Sequence, residues 1–221
     1  MAASRNRIAL LLVLLVGSAV AYSSWRIYRE NNPTIAMVRN AAGQAALERY
    51  ATTAPDPRVR SAATARVENE DVLVQIATTD ADRAVRTEAV RRVVDQALLT
   101  QLISDRRLSP SLRRQVLRRI DDDETLLALA RARGELSFAA AKQLPEWLLA
   151  EVLAEEPPTL RGARELVRKM TNQAALGWLV ANAHDGVISF EALQRLHDPA
   201  AVLSIAFSHQ FEQVALEAAR R

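Results

Sequence analysis

Ten arginines stand between residues 83 and 119 against three acids, Glu88, Asp95 and Asp105, and a run of this kind is suited to holding anions. Some of the charge has a structural use. Arg60, Arg86 and Arg113 recur at one position of an internal repeat, which fits a ladder bonding Asp or carbonyl groups of a neighbouring repeat. Arg66, Arg92, Arg119, Lys169 and Arg195 fall where a first helix ends, and a cation there complements the helix dipole. Arg83, Arg91, Arg106, Arg107, Arg114 and Arg118 are left over. They form a candidate basic patch for an acidic partner surface or anionic lipid headgroups. The alternative is a solvated helix face, neutralised by the nearby Asp121, Asp122, Asp123 and Glu124.

Other chemistry is poorly provided for. The four acids at 121–124 are consecutive, whereas a calcium loop alternates its oxygen ligands around a glycine turn. His184, His197 and His209 are thirteen and twelve residues apart, so no two share a helical turn. The chain has no cysteine, no serine elbow and no glycine-rich phosphate loop. No catalytic residue, cofactor or metal site is therefore expected. Trp147 and Trp178 lie at the start of, or within, second helices of the repeat; they suit either the core or a groove, and exposed they would be interface hot spots.

The elements that must position these residues are helices. Of 221 residues, 49% are apolar, 25% charged and only 5% aromatic, with Ala, Leu, Val, Arg and Glu prominent. A formal charge of +3 excludes a polyanion binder acting with its whole surface, since the positive charge is local. Ile8 to Trp25 carries no charge, lies between Arg5 and Arg7 on one side and Arg26 and Arg29 on the other, and includes Leu12, Leu15 and Tyr22. At the lower limit of about 17 residues, such a run predicts a transmembrane anchor with Tyr22, Trp25 and Tyr28 near an interface. A cleaved secretory signal, with Ala19-Val20-Ala21 as its small-x-small site, is the alternative. Flanking charge leans toward a single-pass inner-membrane protein whose remaining domain is periplasmic.

A repeat organises the rest. Val67, Val93, Ile120, Leu144, Met170 and Leu196 are spaced by 26, 27, 24, 26 and 26 residues. Taking each as an anchor, apolar residues recur eight and four positions before it and six and nine after it. Examples are Val59, Ala63, Leu73 and Ile76 in the first copy. Asn69, Asp95, Asp122, Glu146, Asn172 or Asp198 stands two positions after the anchor. The offsets before the anchor make one stripe of a first helix of nine to twelve residues, and those after it the stripe of a second. In five of the six copies the polar residue between them is placed to cap the second helix. A hairpin this short cannot bury its stripes alone, so neighbours must stack. A weaker copy at Ala41, Gly43, Leu47 and Tyr50 precedes these, with Thr34 as N-cap of its helix. Val214, Ala218 and Arg221 begin another, whose anchor would be residue 222.

Asp56-Pro57-Arg58-Val59-Arg60 and Asp80 with Val85-Arg86, each followed by an Ala-rich helix, resemble HEAT-like repeats. The short period is similar to the bacterial branch named after phycocyanobilin lyase. Ser137 and Ala163 depart from the pattern where it has Arg, and Gly162 falls at a core position. The resemblance implies an all-α, right-handed α-solenoid of about seven short hairpins used for binding proteins; lyase activity does not follow from it. The expected organisation is an anchor over 1–30, a hinge over 31–34 and a solenoid over 35–221 with its last hairpin incomplete. The expected function is a membrane-anchored, non-catalytic scaffold or accessory subunit that binds a protein partner in a membrane complex. Nucleic-acid binding by the Arg-rich repeats is the alternative. It is disfavoured by the apolar segment and by the lack of stacking aromatics among those arginines. A lyase-like enzyme comes last.

Overall fold

The computed structural model describes residues 18, 20–24, 26–28, 32–155, 160–208 and 210–221, and these residues are helical or in short connections, with no strand among them. The protein is all-α. Contacts divide it into two compact units, Met1–Leu112 and Arg113–Arg221. In the first lie α1 (Ile35–Asn40), α2 (Gln44–Thr53), α3 (Pro57–Thr64), α4 (Glu70–Thr79), α5 (Arg83–Arg92) and α6 (Gln96–Ser104). The border falls within α7 (Pro110–Leu117). The second unit continues with α8 (Asp123–Arg131), α9 (Ser137–Ala141), α10 (Glu146–Glu155) and α11 (Leu160–Val167). It ends with α12 (Gln173–Asn182), α13 (Gly186–Arg195), α14 (Pro199–Ser208) and α15 (Glu212–Ala219).

Helix starts are written into the sequence. Asp56, Asp82 and Asp185 stand eleven positions before their anchors and accept from backbone amides of α3, α5 and α13. Asn69, Asp95, Asp122 and Asn172 do the same for the second helices α4, α6, α8 and α12. Thr34 caps α1 as expected. Arg133 occupies the equivalent cap position ahead of α9, and that helix is only five residues long. Of the other first helices, α5 and α13 have ten residues, within the nine to twelve expected, and α3, α7 and α11 have eight, one short of it.

Within each unit the helices form two layers. First helices touch first helices, α1 to α3 to α5 in one unit and α11 to α13 to α15 in the other. Second helices likewise follow one another, α2 to α4 to α6 and α8 to α10 to α12 to α14. The core between the layers is the predicted stripe. All six anchors are buried, as are Val59, Val85, Leu112, Leu136 and Ile188 before them and Leu73, Leu99, Leu126, Leu176 and Val202 after them. Val214 and Ala218 are buried in the last copy. Leu129 and Gly162 are the two half-buried members of the pattern. Removing a large side chain from such a site, as in Leu99→Ala, costs about 2–5 kcal/mol through the lost contacts and the cavity left behind.

One expectation is corrected. Among the described residues no helix is long and apolar enough to cross a membrane, against the single-pass inner-membrane location and periplasmic domain inferred from Ile8–Trp25. Tyr22 is exposed. Ile8, Leu12, Leu15 and Trp25 lie outside the described residues.

Candidate protein-binding surface

Three hydrogen-bond ladders link successive repeats, and they use up much of the polar chemistry seen in the sequence. In the first ladder, an arginine just before the anchor donates to carbonyls near the end of the preceding repeat's first helix, whereas Gln143 and Lys169 in the matching places bond Ala139 and Glu165 of their own segments. Arg66 bonds Val38, Arg39 and Ala41; Arg92 bonds Val67 at 3.1 Å; Arg195 bonds Met170 at 3.3 Å. Arg221 closes the series on Leu193, Gln194 and Leu196. These cations complement helix ends as expected, but one repeat earlier than their own helix.

The second ladder was not foreseen. The first residue of a second helix reaches forward to the connection in the next repeat. Glu70 accepts from the amides of Val94 and Asp95, both at 2.9 Å. Glu146 accepts from the amides of Thr171 and Asn172 at 2.8 and 2.7 Å and from the Thr171 hydroxyl. Gln44 and Gln173 accept from Glu68 and His197 and donate to the carbonyls of Arg66 and Arg195. Burial alone would push the Glu146 carboxyl up, but the amides of Asn172 and Thr171 together hold it below the ordinary value. Glu146 is the first residue of α10. Leu149 donates to the carbonyl of Pro145, so the helix begins one residue early.

The third ladder belongs to the first unit. Arg60 meets the Asp80 carboxylate through Nε at 2.7 Å and Nη2 at 3.0 Å, and donates to the carbonyls of Ala54 and Pro55. Arg86 repeats the carbonyl contacts on Asp80 and Ala81. The Arg60 and Asp80 side chains are only 13% and 7% exposed. The bond to Asp80 raises the Arg60 pKa further.

Of the candidate basic patch, two members are held by neighbouring carboxylates. Arg91 pairs with Glu88 at 2.6 Å and Arg107 with Asp105 at 2.7 Å. Arg83 and Arg106 are exposed in the same unit, and in the other Arg114 is exposed on α7 and Arg118 in the turn after it. Arg91 also lines an open groove between α3 and α5, where Arg58 is balanced by Asp82 and Glu88. Asp122 of the acidic run is committed to capping, and its bonds to Thr125 hold its carboxyl below the usual range. His184 and His197 are exposed, while His209 lies outside the described residues.

The surface that stands out is apolar. Trp147 is 58% exposed and Trp178 43% exposed, although indole rings are among the largest apolar surfaces a protein can bury. Both line one open groove of about 290 Å³ between α10 and α12, with Ala150, Ala174 and Ala175 as its small-residue floor and Glu151 and Asn172 at its polar positions. The second-helix face of the same unit also exposes Leu203 and Phe207 of α14, at 61% and 85%. The corresponding helices of the first unit expose Arg49, Thr52, Asp71, Gln75, Thr79, Gln101 and Ser104. Trp178 occupies the repeat position filled by Arg49, Gln75 and Gln101, so the sequence already marked it as solvent-facing. Such a surface defines a class, an all-helical repeat-patterned protein with an aromatic groove on one layer. No family model, no curated protein and no solved structure matches the chain.

Proposed function

We propose that the chain is a non-catalytic helical-repeat module that binds a protein partner, with the second-helix face of residues 113–221 as the principal foothold. The observation that carries this reading is the pair of exposed indoles, Trp147 and Trp178, in one groove. Tryptophan is enriched among the residues that dominate binding energy, and an indole left half-exposed with no intramolecular use is best explained by a partner that covers it. The 26-residue register, the layered first and second helices in each unit and the repeat-to-repeat ladders support a HEAT-like α-solenoid as the scaffold. Nucleic-acid binding is less well supported, because Arg91 and Arg107 are tied to carboxylates and no aromatic residue falls within the arginine run of the sequence.

The test is co-purification from the native source of the tagged chain and of its Trp147→Ser/Trp178→Ser variant. The expected result is a stoichiometric partner retained by the former and lost by the latter, with unchanged helical circular dichroism. A partner retained equally by both, or recovery of the chain alone from the native source, contradicts the reading.

A further inference from the structure

The groove between α10 and α12 has an electrostatic character as well as an apolar one. Glu151 lines it, and its carboxylate shares one guanidinium, that of Arg131, with Glu155. The Arg131 distances are 3.8 Å to Glu151 and 3.2 Å to Glu155, so neither acid has Arg131 to itself. Glu146 adds a third carboxylate on the same helix and is held in its charged form. Helix N-termini ordinarily attract anions, and the groove lies against the starts of α10 and α12. At α12 part of that pull is already met. The amides of Thr171 and Asn172 are taken by Glu146, and that of Ala175 by the Asn172 side chain.

What remains for an incoming group is two indole rings, an alanine floor and a surplus of negative charge. Aromatic faces attract cations, tryptophan most strongly, and Arg is the cation that also stacks flat on a ring. Resting on the protein-binding role proposed above, we infer that the Trp147–Trp178 groove receives an arginine or lysine side chain of the partner, its aliphatic stem against the indoles and its charge toward Glu151.

The inference is tested by panning a phage-displayed library of random twelve-residue peptides on the full chain and on Trp147→Ser/Trp178→Ser. Trp178→Phe serves as a control that keeps an aromatic face. The expected binders depend on the two tryptophans and share a basic residue. Replacing that residue by norleucine, which keeps the stem and removes the charge, weakens a synthetic peptide about tenfold. Glu151→Gln/Glu155→Gln weakens it several-fold, and added salt shrinks the difference between the charged and uncharged peptides. Indole emission, followed in a Trp25→Phe background, reports occupancy of the groove itself. Tryptophan-dependent binders without a basic residue, such as proline-rich or purely apolar peptides, overturn this inference and leave the binding role standing. The absence of any tryptophan-dependent binder overturns both.

Discussion

The two units solve the same stacking problem with different side chains. Seven positions before the anchor, the first unit has Arg60 and Arg86, whose guanidinium groups gather the carbonyls that end the preceding second helix and, for Arg60, the carboxylate of Asp80. The second unit begins with a further arginine there, Arg113, whose Nε is buried without a hydrogen-bond partner, and then has Ser137, Ala163 and Ser189, all buried, of which Ser189 makes a single 3.1 Å bond to the carbonyl of Val180. The carbonyl of Ala183, which matches those taken by Arg60 and Arg86, is met by Gln210 at 3.3 Å. Charge inside the stack accompanies polar second helices outside it in the first unit. In the second unit, small residues inside the stack accompany exposed aromatic and aliphatic side chains on the second helices. The difference separates a unit whose second helices present polar side chains from one whose second helices expose large apolar ones.

The contrast can be broken most severely at Arg60. Arg60→Ala leaves Asp80 largely buried without its cation and is expected to cost about 3 kcal/mol. Ser189→Ala, at the matching position, is expected to cost about 1 kcal/mol. Urea unfolding of both variants checks this, and equal losses would remove the distinction. Next in size is the binding effect. Trp178→Ala is expected to weaken the partner complex by about 2 kcal/mol or more while Gln75→Ala changes it by less than about 0.5 kcal/mol, measured by calorimetry. Smaller still is the loss at the shared forward ladder. Glu70→Ala and Glu146→Ala should each cost about 1–2 kcal/mol, because each leaves two backbone amides without a carboxylate in either unit.

The smallest expected effect is on acid stability. Arg168 and then Arg164, bonded to Glu191 across α11 and α13, hold its carboxyl below the ordinary value despite burial. With the folded pKa lowered, the unfolded state binds the proton first as pH falls. The stabilisation is therefore complete above the ordinary glutamate value near pH 4.3 and is lost as pH drops through the lowered one. Glu191→Gln should flatten the second unit's stability across that acid window, followed by circular dichroism against pH. A variant that loses stability as steeply as the parent there contradicts the assignment.

Much of the interior was legible because a 26-residue period samples the same burial pattern many times. Val67, Leu99, Ile188 and their equivalents are buried where the offsets placed them. The cap eleven positions before the anchor was legible in Asp56, Asp82 and Asp185 but went unused. The forward ladder was not, since a glutamate at the start of a helix looks like a dipole complement until its partner some 25 residues on is seen. Arg91 and Arg107 looked available because Glu88 and Asp105 sit on the same local segment, where side-chain direction decides pairing. The apolar run at Ile8–Trp25 satisfied a hydropathy rule, whereas among the described residues no helix is long and apolar enough to cross a membrane.

The account's central claim is that recognition is concentrated on the second-helix face of residues 113–221. A photo-crosslinking amino acid placed singly at Trp147, Trp178, Gln75 and Gln101 in the full chain tests it most directly, with products resolved after irradiation in the native source. The account predicts one discrete heterologous adduct from positions 147 and 178 and little or none from 75 and 101. Adducts of equal yield from all four positions, or from 75 and 101 alone, would contradict it.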